Sequence, residues 1–127
     1  MAEKPVPIKS LKPGHFVMAD GEPCRVVSIT LSKPGKHGST KARIECMGLF
    51  DNRRHYILKP SSADVMVPVI EKKKAQVISV SGSTAQLMDL TDYSVFEVEV
   101  PEELREKVKA GEEIEYWKIA GRVMLRP

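Results

Sequence analysis

Between residues 11 and 67 the chain is a run of short alternating segments, each ended by turn residues before it reaches helical length, which limits this half to β structure. In "HFVMADGEPCRVV", Asp20-Gly21 stands between two apolar runs, a tight-turn signal. Val27, Ile29 and Leu31 then alternate with Ser28 and Thr30, as a half-buried strand requires, and Ile44, Cys46 and Gly48 resume the alternation. Asp51-Asn52 supplies the next turn before "RRHYILKP". Short strands joined this way predict a small barrel.

"KPSSADVMVP" carries two prolines and two serines without the periodicity of an element, which predicts a boundary near residue 68 and two domains, 1–68 and 69–127. With 127 residues and 42% hydrophobic content, each barrel would bury a modest core. Past the boundary, "AQVISV", "AQLMDL" and "SVFEVEV" read as strands. "PEELREKVKAG" reads as one short helix: Pro101 suits its first turn, Glu102 and Glu103 its positive end, Lys107 and Lys109 its negative end, and Gly111 its close. Leu104 and Val108 give it a narrow apolar face. Two more strands follow, and strands, a helix and strands in this order predict an OB-fold barrel.

Charge is unevenly shared. Residues 1–68 hold 11 Lys and Arg against 6 Asp and Glu, while residues 69–127 hold 9 against 11, so a polyanion is steered to the first half. The chain opens with no charged-then-apolar leader, and its longest apolar runs are too short to span a bilayer, which predicts a cytoplasmic protein with no membrane association. Cys24 and Cys46 have no zinc-site spacing and read as small buried hydrophobes, although their places on opposing hairpin arms would let an oxidising environment bridge them.

The basic charge is concentrated in "SKPGKHGSTK", residues 32–41, between two strand-like segments. A P-loop is excluded by order, because Lys36 is followed by His37-Gly38 and then by a strand rather than by Ser/Thr and a helix. His15, His37 and His55 lack an adjacent carboxylate or cysteine constellation, so the reading is non-enzymatic. A solvated hairpin tip is the plain alternative, but the length of the loop speaks for a function. Gly35 and Gly38 bracket Lys36 so that no neighbouring side chain shields its amine, with Lys33 and Lys41 behind it. These residues describe a basic loop that contacts phosphate or is read by a modifying enzyme. Lys33, Lys41 and Arg43 are the candidate RNA contacts, and Arg53 and Arg54 either reach RNA or charge a turn. In the net-acidic second half Tyr93, Phe96, Tyr116 and Trp117 are as readily core residues as stacking platforms, and no RNA site is assigned there.

The loop, with Gly35-Lys36-His37-Gly38 at its centre, resembles the modification loop of the translation initiation factor 5A family in its archaeal form. "DGEPCRVV", "VISVSG" and "QLMDL" extend the similarity over most of the chain. The resemblance implies an SH3-like N-terminal barrel followed by the OB-fold domain, and a modification loop comprising Lys33, Pro34, Gly35, His37 and Gly38 around Lys36. It implies no bound cofactor but a covalent aminobutyl group on Lys36, derived from spermidine by the NAD-using deoxyhypusine synthase and giving deoxyhypusine or hypusine. It further implies a translation factor whose partners are the ribosome, through ribosomal RNA and the peptidyl-tRNA acceptor end, and the synthase. The competing expectation is a general RNA-binding or ribosomal protein of the same fold with Lys36 unmodified.

Overall fold

Turn residues divide the chain into strands that pair within two separate units, Met1–Val69 and Ile70–Pro127. The structure, a computed structural model, describes residues 3–33 and 40–126. It is mostly β, built of two curled half-barrel sheets, as the sequence predicts.

The first unit contains β1 (Glu3–Pro7), β2 (Phe16–Ala19), β3 (Glu22–Ser32), β4 (Lys41–Gly48), β5 (Arg54–Pro60) and β6 (Asp64–Pro68). Strands β2-β3-β4-β5 form one antiparallel sheet in that order, and β1 pairs with β6. Asp20 and Gly21 both have positive φ, 52° and 76°, as the predicted two-residue turn between β2 and β3 demands.

Three expectations for this unit change. Val27 does not share a face with Ile29 and Leu31. It is the extra residue of a bulge, because Val26 pairs with Cys46 and Ser28 with Glu45, so Val26 takes the buried place and Val27 is exposed. Leu31 is also exposed, although Ala42, opposite it on β4, is buried. "ADVMVP" is not featureless: it is β6, paired in register with β1 (Val6 opposite Val65), and Val65 is buried. Sequence periodicity misses both strands because they are five residues long and carry prolines, which a two-stranded ribbon tolerates on its edges.

The second unit contains β7 (Ile70–Ser81), β8 (Thr84–Asp89), β9 (Val95–Glu99), β10 (Glu113–Ile119) and β11 (Arg122–Arg126), in the sheet order β11-β10-β7-β8-β9. Its core packs Leu87, Val100, Val108, Ile114 and Tyr116 together. The expected helix over 101–111 is reduced to a 3-10 turn at Glu102–Leu104. The reason is competition for its backbone. Gly111 (φ 89°) donates its N–H to the Val77 carbonyl and Glu112 accepts from the Val77 N–H, so the segment is drawn on to β7 while Val108 drops into the core. The first unit repeats the device. Gly14 (φ 93°) donates to the Val26 carbonyl, and the Val26 N–H donates to His15, again beside a bulge.

Inside this core Asp89 is 1% exposed and accepts hydrogen bonds from the Tyr116 hydroxyl and from the N–H groups of Thr91 and Asp92, with Lys73 Nζ at 3.7 Å. The Tyr116 hydrogen bond above all holds its carboxyl at about 2 despite burial. A buried carboxylate so fully satisfied is a structural anchor between β8 and β10.

Candidate functional site

The basic hairpin is built by β3 and β4. Their ladder runs from Cys24 opposite Gly48 to Ser32 opposite Lys41. Of the residues predicted to act there, Pro34, Gly35, Lys36, His37 and Gly38 lie outside the described residues. Lys33, Lys41 and Arg43 are described, and all three are exposed.

Support for the hairpin comes from β5. Lys41 pairs with Pro60, Arg43 with Leu58, and Ser61 N–H donates to the Thr40 carbonyl at 2.9 Å, so β4 is hydrogen-bonded up to its start. Lys41 and Arg43 are two residues apart and therefore share one face of β4, opposite to buried Ala42 and Ile44. The Arg43 guanidinium lies over the Tyr56 ring, 4.7 Å from its centre. Stacking fixes the plane of the guanidinium while its N–H edges stay available to an anion. Tyr56 is the positioning residue that sequence reading missed; the signal was an aromatic on the outward phase of β5, two residues from Leu58, the partner of Arg43. Arg54 is bonded to Glu45, and the Arg53 N–H caps the Asp51 carboxylate at 3.0 Å, so Arg54 takes part in an ion pair and Arg53 in a turn.

At the opposite end of the sheet His55 has the carboxylate neighbours that its surrounding sequence does not announce. Nδ1 lies 2.8 Å from Asp20 Oδ2, and Nε2 lies 2.7 Å from Asp51 Oδ2. Its pKa is raised first by the Asp20 hydrogen bond and then by the Asp51 one, and in the doubly protonated ring both nitrogens donate. Neither nitrogen is left to take a proton, so this constellation clamps the β2–β3 turn to the β4–β5 turn. Gly48 makes room for it, because a Cβ there would collide with the Asp51 carboxylate.

Cys24 and Cys46 are free, buried thiols. Cys24 is opposite Gly48 and Cys46 opposite Val26, which makes them a diagonal pair rather than a direct one. Burial foremost, and then the neighbouring Cys46, pushes the Cys24 thiol up to about 12, so it is an inert, apolar filler. Among the described residues no group of His, Cys, Asp or Glu could hold a metal ion, and no helix is long and apolar enough to cross a membrane.

Residues 2–63 match the family described as "Translation initiation factor 5A-like, N-terminal", and residues 69–125 match "Eukaryotic elongation factor 5A hypusine, DNA-binding OB fold". A translation initiation factor 5A of Methanocella arvoryzae is 52% identical over 116 residues, covering 91% of each chain. One from Pyrococcus furiosus is 50% identical over 124 residues, covering 94% of this chain and 90% of that one. Among solved structures, "Eukaryotic translation initiation factor 5A from Methanococcus jannaschii" superposes with a TM-score of 0.88 at 40% identity, covering 98% of this chain and 93% of the other.

Proposed function

We propose, since this chain belongs to the translation initiation factor 5A family, that it binds the ribosome and presents a modified Lys36 to the acceptor end of peptidyl-tRNA. There it promotes peptide-bond formation where synthesis stalls, as on consecutive prolines. The observation that carries this reading is the intact Gly35-Lys36-His37-Gly38 motif in the sequence between two strands that stay paired up to Ser32 and Lys41.

The chemistry follows from the lysine. Deoxyhypusine synthase transfers the aminobutyl group of spermidine to Nζ, breaking its bond to the central spermidine nitrogen and releasing 1,3-diaminopropane, so that Nζ becomes a secondary amine and gains a terminal primary amine. One cation becomes two, and the arm grows by about 6 Å when extended. Both amines donate charge-assisted hydrogen bonds to phosphate or ribose oxygens. Lys33, Lys41 and the stacked Arg43 supply further positive charge around the base of the arm, where RNA phosphates would position the hairpin. The catalytic groups stay with the ribosome; the arm contributes by holding the reacting end of the tRNA in attacking geometry.

Intact-mass measurement on protein from its own host, with the increment mapped by fragmentation, is expected to place one aminobutyl group on Lys36. Lys36→Arg keeps the charge and the fold but cannot be modified, and is expected to fail in translating polyproline reporters. An unmodified native chain, or an active Lys36→Arg protein, refutes the reading and favours an RNA-binding protein that works with bare lysine.

A further inference from the structure

The net-acidic second unit conceals a segregated charge distribution. On the outward face of β8 and β9, where OB-folds commonly take oligonucleotides, β9 exposes Glu97 and Glu99, which would repel phosphates. Four of the unit's cations lie instead toward the other edge of the sheet, around β10. Lys72 and Lys74 of β7 and Arg122 and Arg126 of β11 share the outward phase of their strands with Trp117 and Glu115 of β10.

The pairing sets these residues in rows. Trp117 is opposite Lys72, and Glu115 is opposite both Lys74 and Arg126. Lys72 Nζ lies 4.8 Å and the Arg126 guanidinium 4.5 Å from the centre of the indole ring. The indole N–H donates to Glu115 at 2.6 Å, which fixes the ring and engages the one carboxylate between the cations. Trp117 is 8% exposed, so it does not offer a stacking platform; it is the post on which two cations are mounted. Beside them opens a cleft of about 530 Å³ lined by Lys72, Lys73, Lys74, Leu90, Thr91 and Glu115. Lys73 is committed to Asp89, which leaves Lys72 and Lys74 to face an incoming anion.

We propose that the Lys72–Trp117–Arg126 face, with Lys74, is a second RNA-binding site that grips the phosphate backbone of a single strand without reading its bases and without Lys36 modification. Cations on two strands, β7 and β11, set roughly 10 Å apart by the intervening β10, match an extended polyanion rather than one compact anion. The arginine, held over the indole, keeps N–H groups for phosphate oxygens. An acidic peptide is the other polyanion such a face could meet, but the family acts in translation, where RNA phosphate is the prevailing anion.

The test uses the full-length chain carrying Lys36→Arg, so that its outcome is independent of the modified arm. Fluorescein-labelled oligouridylate is titrated at several salt concentrations and read by anisotropy. In parallel, the fluorescence of Trp117, the single tryptophan of the chain, reports on this face. Binding is expected to change the Trp117 emission. Lys72→Glu with Arg126→Glu is expected to weaken binding about tenfold or more and to flatten the slope of log K against log salt by about 1.4, the share of two phosphates on a single strand. Should the charge reversal disturb the indole packing, Lys72→Gln with Arg126→Gln carries the same test with a smaller loss. RNA binding that leaves Trp117 emission unchanged, or an affinity unaltered in both double variants, overturns the proposal and leaves the hairpin as the site. Polyglutamate binding that falls with these substitutions while RNA binding does not would overturn it in favour of an acidic protein partner.

Discussion

His55 shows how one side chain can serve two turns. Its contribution depends on pH in a direction that its partners dictate. Its pKa in the folded chain is raised above the ordinary value of 6.5, so its stabilisation is complete below that value and is lost as pH rises through the folded pKa. Asp51, held down first by the Arg53 N–H and then by His55, acts in the opposite sense: its share is present above 3.8 and is lost as acid titrates it below that. The clamp is therefore strongest in mildly acidic solution, between these two limits. His55→Gln is expected to cost about 1 kcal/mol near pH 6, since two charge-assisted hydrogen bonds are partly screened by solvent at exposed Asp20. In urea melts the gap between wild type and variant should narrow as pH is raised toward 9; a gap that stays constant with pH would show that the ring contributes only by packing. Nothing in the sequence near His55 names Asp20 as a partner, because the two are 35 residues apart and meet only through the β2–β5 sheet. Asp51, four residues before His55, reads in the sequence only as a turn residue, because alternation along the strand does not show that the turn folds its carboxylate back on to the ring.

At the level of the element, both long hairpins bend at a bulge, and in each a glycine with positive φ is bonded to the valine beside it. The bulge at Val26 corrects the phase of β3, and the one at Val77 leaves Ile78 exposed in β7. A simple alternation cannot anticipate this, because one inserted residue reverses the side of every residue beyond it. The segment 101–111 teaches the same lesson. Its caps and charges suit a helix, yet a short isolated helix is marginal, and the hydrogen bonds that Gly111 and Glu112 make to Val77 with the burial of Val108 outweigh it. Gly111→Ala places a side chain at φ 89° and is expected to lower the stability of the second unit by about 1 kcal/mol or more in thermal melts. If the alanine chain instead becomes more helical and melts no earlier, the docking of Gly111 on β7 is not what unwinds the segment.

For the whole molecule, each unit has a hydrophobic core of its own, one around Val17, Val26 and Ile44, the other around Leu87, Ile114 and Tyr116. A fragment of residues 70–127 is therefore expected to unfold cooperatively, followed by Trp117 emission and circular dichroism in the same melt, whereas a gradual, non-coincident loss of the two signals would show that the unit needs the rest of the chain. The sequence alone determined that the chain is β-rich, where its main turns fall, and which loop carries the lysine motif, because turn chemistry, side-chain alternation and a contiguous motif are all local properties. Tertiary structure decided the rest: the β1–β6 pairing, the His55 clamp, the stacking of Arg43 on Tyr56, and the gathering of Lys72 and Arg126 about Trp117. Each of these depends on registers between strands distant in the chain, and net charge summed along a sequence cannot reveal that a unit of negative sign sets four of its cations on one face.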